Sequence, residues 1–208
     1  MPSLAAFLVF LSAAAILAIT PGPGIFYVLT RSLKGGRREG YASAIGTTLG
    51  GFFHVVAAAL GLSALLAASA LAFSLVKYTG AAYLVYLGVK TMLGRQQLDL
   101  TLETGSPQQL SSALRQGVTV EILNPKTALF FLAFIPQFIN PAGPVFWQFV
   151  LLGSLSVTLN TLVDIIVVSL AGPLGQALLK RPRLQRLQRL ATGGGLITLG
   201  GYVALTGD

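Results

Sequence analysis

Two proline motifs lie inside long apolar runs of this chain, and they constrain its fold more than any other feature. They are Thr20-Pro21-Gly22-Pro23-Gly24 and Asn124-Pro125-Lys126. A proline lacks a backbone N–H and clashes with the carbonyl one turn earlier, so each motif predicts a broken helix. In a membrane the freed backbone groups must line a protected cavity, as they do where secondary transporters bind their substrates.

The composition indicates an integral membrane protein. Of 208 residues, 54% are hydrophobic and only 10% are charged, and the charges fall mainly between apolar runs. A helix that crosses a bilayer needs about 20 predominantly apolar residues. We therefore predict an all-α membrane protein with six transmembrane helices, at about residues 4–30, 41–67, 71–93, 116–138, 145–171 and 190–207.

The basic residues indicate which loops face the cytoplasm. The chain has 14 Lys and Arg residues and a net charge of +8. Most of them fall in alternate loops: Arg31, Lys34, Arg37, Arg38, Lys90, Arg95, Arg115, Lys180, Arg181, Arg183, Arg186 and Arg189. Lys and Arg accumulate on the cytoplasmic side of membrane proteins. We therefore predict that both termini are periplasmic, and that the positive charge does not indicate nucleic-acid binding.

The two halves of the chain resemble each other. Thr20-Pro21 corresponds to Asn124-Pro125, and Thr79-Gly80-Ala81-Ala82 corresponds to Thr192-Gly193-Gly194-Gly195 in the same order. The single domain, 1–208, then divides into a repeat at about 1–93, a cytoplasmic loop at about 94–115 and a repeat at about 116–208. Three crossings per repeat make the second copy enter from the opposite side, so we predict inverted repeats with a site at their interface.

The breaks offer polar groups that suit a small zwitterion. Thr20 and Asn124 are predicted N-caps, with Pro21 and Pro125 at the first helical position. The helix N-termini suit a carboxylate, and the unwound carbonyls before the caps would accept bonds from an ammonium group. The predicted substrate site contains Thr20, Pro21, Gly22, Pro23, Gly24, Asn124, Pro125 and Lys126. The alternative is that both prolines only kink packed helices.

Ionisable residues inside the predicted spans indicate how transport could be coupled to protons. Lys126 opposes the dipole of its own half-helix unless an anion is close, and Asp164, the substrate carboxylate or both are the expected anion. The alternative is a structural ion pair between Lys126 and Asp164. His54 either relays protons or hydrogen-bonds a neighbouring helix. Glu121 is expected near the membrane interface, in a structural role.

The residue inventory also excludes some classes of site. The chain has no Cys and one His, so disulfides and thiol redox chemistry are excluded and a metal site is not expected. No pairing of a nucleophile with a base stands out. We therefore expect neither an enzyme nor a cofactor-binding protein.

Together these residues resemble the lysine exporter and homoserine/threonine exporter family of bacterial amino-acid efflux proteins. The resemblance spans nearly the whole chain and is carried by the two proline motifs, Thr79-Gly80-Ala81-Ala82-Tyr83-Leu84, Phe134-Ile135-Pro136-Gln137-Phe138, His54 and Asp164. It implies export of amino acids or close derivatives across the inner membrane, in exchange for protons. An acidic or amide residue often follows Pro-Gly-Pro in that family, whereas this chain has Gly24, which shifts the expected coupling to Asp164.

Two other functions remain open at this point. A metal or inorganic ion transporter of the same superfamily is disfavoured because metal ligands are scarce. A non-transporting membrane scaffold is disfavoured because the breaks would serve no purpose in it. The expected partners are an amino acid, protons and membrane lipid, and a homo-oligomer is an open alternative to a monomer.

Overall fold

The computed structural model describes residues 4–93, 110–180 and 182–205, and all regular secondary structure within these ranges is helical. The helices are α1 (Leu4–Ile19), α2 (Pro23–Ala68), α3 (Ala70–Leu93), α4 (Leu110–Ile122), α5 (Pro125–Leu129), α6 (Val145–Lys180) and α7 (Pro182–Leu205). α5 continues as a π-helical turn, Phe130–Phe134, and a 3₁₀ turn, Ile135–Phe138. The predicted all-α class is confirmed, while most of the predicted loop at 94–115 lies outside the described residues.

Two helical segments of the described chain are long and apolar enough to cross a membrane, Pro23–Gly61 and Val145–Ala171. A third span results if Leu110–Ile122 and Pro125–Phe138, which meet at a bend of 43°, are counted together. α1 is apolar but has only 16 residues. At 1.5 Å per residue it extends about 24 Å, which is less than the roughly 30 Å hydrocarbon core of a bilayer.

The first break lies where the sequence predicts it, but its cap is a different residue. α1 ends at Ile19 and α2 begins at Pro23, with the Phe26 amide donating to the Gly22 carbonyl at 3.0 Å. The Thr20 hydroxyl instead donates back to the Ile16 carbonyl at 2.7 Å. The prediction that Thr20 caps a helix starting at Pro21 was therefore wrong. A residue that precedes a proline disfavours the α conformation, so Gly22 before Pro23 delays the helix start.

The second break has the predicted cap. The Asn124 side chain accepts a bond of 3.1 Å from the Lys126 amide, and Pro125 occupies the first helical turn. The helix then loosens into the π-helical turn after only five residues. Its phenylalanines form a buried core with α1, in which Phe10 lies 5.4 Å from Phe138 between ring centroids.

The basic segment after the first break is helical on both sides of a turn at Gly36. α2 consists of two helices that meet at this glycine, whose backbone is not helical, with φ 74° and ψ −174°. Past this turn Glu39 lies back against Arg31, and the two buried side chains form an ion pair of 3.5 Å.

Close helix contacts hold this arrangement together. α2 packs against both α4 and α6, and α3 packs against α7. A Cβ added at Gly117 of α4 would lie 2.7 Å from the Ser43 carbonyl of α2, and one at Gly88 of α3 would lie 2.6 Å from the Gly193 carbonyl of α7. Glycine is required at these crossings because the two backbones approach each other directly.

Candidate functional site

A narrow polar cavity lies where the second break meets α2 and α6. Its polar lining includes Thr47, Glu121, Asn124, Lys126, Asn160 and Asp164. The cavity has a volume of about 20 Å³. One water molecule requires about 10 to 15 Å³ by the same measure, so the cavity in this conformation is smaller than an amino acid.

Glu121 is a central residue of this cavity. Its side chain is buried, and its carboxylate accepts bonds from the Thr127 hydroxyl at 2.6 Å and from the Asn124 amide at 3.0 Å. The sequence did not predict these bonds, and the expected depth of Glu121 in the membrane remains a prediction. α4 ends at Ile122, so Glu121 lies in the last turn of α4, beside the break. Its position three residues before the Asn124 cap is the sequence signal that could have found it.

Lys126 connects the two breaks. Its ammonium donates to the carbonyl oxygens of Leu17 at 3.0 Å and Thr20 at 2.9 Å. In a continuous helix the Leu17 carbonyl would accept from the amide of residue 21, which here is a proline. The charge therefore lies at the negative, C-terminal end of α1, where a cation is favourable. This relieves the conflict with the dipole of α5 that the sequence indicated.

Asp164 faces the same cavity from α6. It is buried, and it accepts a bond of 2.8 Å from the Thr47 hydroxyl of α2. The neighbouring Thr48 and Thr161 hydroxyls are also bonded to each other, at 2.8 Å. Asp164 and Lys126 do not form the direct ion pair that the sequence left open as an alternative. Asp164 bonds Thr47, and Lys126 bonds two backbone carbonyls.

His54 lies outside the cavity lining, behind the second break. Its Nε2 is 3.0 Å from the Glu121 carbonyl oxygen, and its ring stacks on Phe131 at 5.8 Å between centroids. Of the two roles that the sequence left open, the hydrogen bond to a neighbouring helix is present. A proton relay through His54 remains a prediction.

The structure brings together several of the predicted site residues but not all of them. Gly24, Asn124 and Lys126 line the cavity with Asp164. The other predicted residues do not line the cavity. The Thr20 carbonyl accepts from Lys126, Gly22 lies against the Lys126 side chain, and the Pro21 carbonyl accepts from Thr192. Pro125 is partly buried and Pro23 is exposed.

Gly24 leaves the space that Glu121 occupies. A Cβ built at Gly24 would lie 2.6 Å from Oε2 of Glu121, which is shorter than any ordinary carbon contact. A larger side chain at this position would therefore displace the carboxylate. The missing side chain at Gly24 and the buried carboxylate of Glu121 therefore belong to one local arrangement.

The described ranges contain no group of three or more His, Asp or Glu side chains that could hold a metal ion. The groups that face the cavity are instead two carboxylates, one ammonium, amides and hydroxyls. Such groups bind a small polar molecule by hydrogen bonds and charge.

Residues 15–207 match the family described as LysE type translocator. The chain belongs to this family. The LysE type match extends across both breaks and all of the cavity lining described above. No solved structure gives a significant match.

Curated relatives of this LysE type chain are membrane and efflux proteins. A homoserine/homoserine lactone efflux protein of Salmonella typhimurium is 31% identical over 199 residues, covering 94% of each chain. An uncharacterized membrane protein of Vibrio cholerae is 34% identical over 183 residues, covering 88% of this chain and 89% of the relative. A leucine efflux protein of Klebsiella pneumoniae is 31% identical over 134 residues, covering 64% and 63%.

Proposed function

We propose that this protein is a secondary active exporter of amino acids or close derivatives across the bacterial inner membrane, driven by exchange for protons. Membership of the LysE type translocator family supports this assignment, as do relatives named for efflux of homoserine, homoserine lactone and leucine. Both termini are periplasmic in this proposal, in accordance with the distribution of basic residues.

The observation that carries the proposal is the set of charges buried between the breaks. Glu121, Lys126 and Asp164 are each 5 to 6% exposed and line one cavity. A charge placed centrally in a membrane costs about 2.5 to 3.5 kcal/mol on insertion scales, so such residues are functional by default. A merely kinked helix would not require three of them at one point.

The substrate's two charged groups have complementary partners in this cavity. A carboxylate is attracted by the amide at Gly24, in the first turn of α2. The Glu121 and Asp164 carboxylates attract an ammonium into the cavity, and the carbonyl oxygens of Leu17 and Thr20 are acceptors for it. With both acids ionised the cavity carries one net negative charge, which favours a substrate with an amino group over one with only a carboxylate.

Transport requires the cavity to open, because its present volume is smaller than an amino acid. We propose that residues 1–93 and 116–208 are inverted repeats of three crossings each, and that they alternate between inward-open and outward-open arrangements. The two breaks support this, since they occupy equivalent positions in the two halves and Lys126 joins them. The packing of α3 against α7, the last helix of each half, is also consistent with a two-fold arrangement.

Asp164 is the proposed site of proton exchange. It is a buried carboxylate, it faces the substrate cavity and it bonds a hydroxyl instead of a permanent cation. A carboxylate in this setting can carry a proton while the cavity is open to one side and release it on the other. His54 is a second candidate, through its bond to the Glu121 carbonyl.

Purified protein in liposomes tests the function directly. A panel of labelled amino acids and lactones is offered with an imposed pH gradient, and Asp164→Asn is compared with Thr158→Val. Thr158 is an exposed residue of α6 whose hydroxyl bonds only the carbonyl of Ser154 in its own helix. We expect gradient-driven uptake by the wild type and Thr158→Val and loss of the gradient response in Asp164→Asn. Uptake of inorganic cations alone would overturn the proposal.

A further inference from the structure

The carbonyl oxygens of Leu17 and Thr20 form a small site for one ammonium group. Both oxygens lie at the broken end of α1, 3.0 Å and 2.9 Å from the same nitrogen, Nζ of Lys126. Pro21 cannot supply the amide that would normally bond the Leu17 carbonyl. The Thr20 amide also donates to that carbonyl, at 3.2 Å, so Lys126 takes its second lone pair.

Lys126 has an alternative set of partners within the same cavity. Glu121 and Asp164 line the cavity beside it, and both carry the opposite charge. The lysine side chain is a flexible four-carbon stem with a compact charge at its end. The stem passes over Gly22, where a Cβ would lie 3.3 Å from both Cδ and Cε. The cavity thus offers the ammonium a second set of partners, which carry the opposite charge.

We propose that the Leu17 and Thr20 carbonyls are the subsite for the substrate's primary ammonium, and that Lys126 is a tethered occupant displaced by it toward Glu121 and Asp164. This inference rests on the exporter function proposed above and assigns one subsite within it. The exchange keeps the carbonyls bonded at every stage, which matters because buried polar groups without partners are costly. The site should also bind primary ammonium groups in preference to quaternary ones, because a quaternary ammonium has no N–H to donate to the carbonyls.

The exchange gives Lys126 a role in the return step of transport. Once the substrate has left, the carbonyls at the end of α1 need a donor again, and Lys126 supplies one. The ammonium then also joins the two breaks across the cavity. The narrow conformation is thus one in which the tethered ammonium fills the subsite.

The test removes the tethered ammonium and offers a free one. Lys126→Ala deletes three methylene groups and the ammonium, a fragment that n-propylammonium replaces. Thermal unfolding of the purified variant is measured with n-propylammonium or tetramethylammonium chloride at equal concentration. We expect propylammonium to raise the melting temperature of Lys126→Ala by about 2 to 4 °C, with no such shift for tetramethylammonium or in the wild type.

A second variant keeps the test decisive if Lys126→Ala is not recovered folded. Lys126→Gln retains an N–H donor on a side chain one atom shorter, and ammonium or methylammonium should stabilise it more than propylammonium does. Equal shifts with propylammonium and tetramethylammonium, or equal shifts in wild type and variants, would overturn the subsite.

The displacement step has its own measurement. An amino acid that the wild type transports must compete with Lys126, so its half-saturating concentration in the same thermal assay should fall roughly fivefold or more in Lys126→Ala. An unchanged or higher value contradicts displacement. The propylammonium shift does not depend on transport, so the two proposals can fail separately. If the wild type transports no amino acid but the variant shows the shift, the exporter function is refuted and the ammonium site stands.

Discussion

The ammonium of Lys126 lies 2.9 Å from the carbonyl oxygen of Thr20, so the second proline break of the chain is bonded directly to the first. The residues are far apart in sequence and belong to different predicted repeats. Their contact places the positive charge of Lys126, at the second break, at the C-terminal end of α1, which ends at the first break. The two breaks therefore form one structural unit with the cavity beside it.

Thr47→Val tests whether the bond between α2 and α6 supports Asp164. The substitution keeps the side-chain shape but removes the hydroxyl that donates to Asp164 at 2.8 Å. A hydrogen bond to a charged group contributes about 1.5 to 3 kcal/mol, so we expect at least about a tenfold loss of proton-driven uptake in liposomes. Thr158→Val on the exposed side of α6 is the matched control. Equal losses in both variants would show that the hydroxyl of Thr47 has no special role.

Gly24→Ala tests the contact between the first break and Glu121. The added Cβ would lie 2.6 Å from the Glu121 carboxylate, so the carboxylate must move away from Asn124 and Thr127. We expect a weaker apparent affinity for the transported amino acid, measured by counterflow. Gly24→Asp, which introduces a second carboxylate there, should alter the substrate range or the pH profile further.

Gly61→Ala is the control for these glycine substitutions. A Cβ at Gly61 meets no atom within 4 Å, and the helical backbone there accepts alanine. Its transport should match that of the wild type. If Gly24→Ala also behaves as wild type, the position does not constrain Glu121 and the proposed contact is unimportant.

Gly36→Ala tests the turn inside α2. The site has open space around it, but φ 74° with ψ −174° is a conformation essentially confined to glycine, and it costs a residue with a Cβ about 1 to 3 kcal/mol. We expect a melting temperature lower by at least about 2 °C, and a similar decrease for Gly36→Asn, because asparagine tolerates the αL region but not this one. The same decrease for Gly61→Ala, measured by thermal unfolding in detergent, would rule out a conformational cause at Gly36.

The breaks could be predicted from the sequence because proline acts on its own backbone. Asn124 follows the usual pattern of a cap before a proline, and the structure has that cap. The cap at Thr20 could not be assigned correctly, because two closely spaced prolines, Pro21 and Pro23, compete for the first helical position and the helix begins at the second. The turn at Gly36 gave no strong signal, since Gly35 and Gly36 are equally permissive in sequence.

The partners of the buried charges were harder to predict. The Lys126 ammonium bonds two backbone carbonyls, which any residue could supply, so no residue type marks them. The structural role expected for Glu121 did not predict that its side chain is buried in the cavity and bonds Asn124 and Thr127. Asp164 was singled out because a carboxylate in the middle of an apolar run is rare, and the structure places it in the cavity lining.

Counterflow with Glu121→Gln tests the central claim most directly, because Glu121 lies between both breaks and bonds Asn124 and Thr127. Glutamine keeps the size of the side chain and removes its charge. The liposomes are preloaded with an unlabelled amino acid, and uptake of the labelled form is measured at equal amounts of folded protein. We predict that the wild type and Thr158→Val accumulate the label. Glu121→Gln should retain less than about a tenth of that rate, because it loses a hydrogen-bonded charge. Wild-type accumulation by Glu121→Gln would contradict the assignment of this cavity as the transport site.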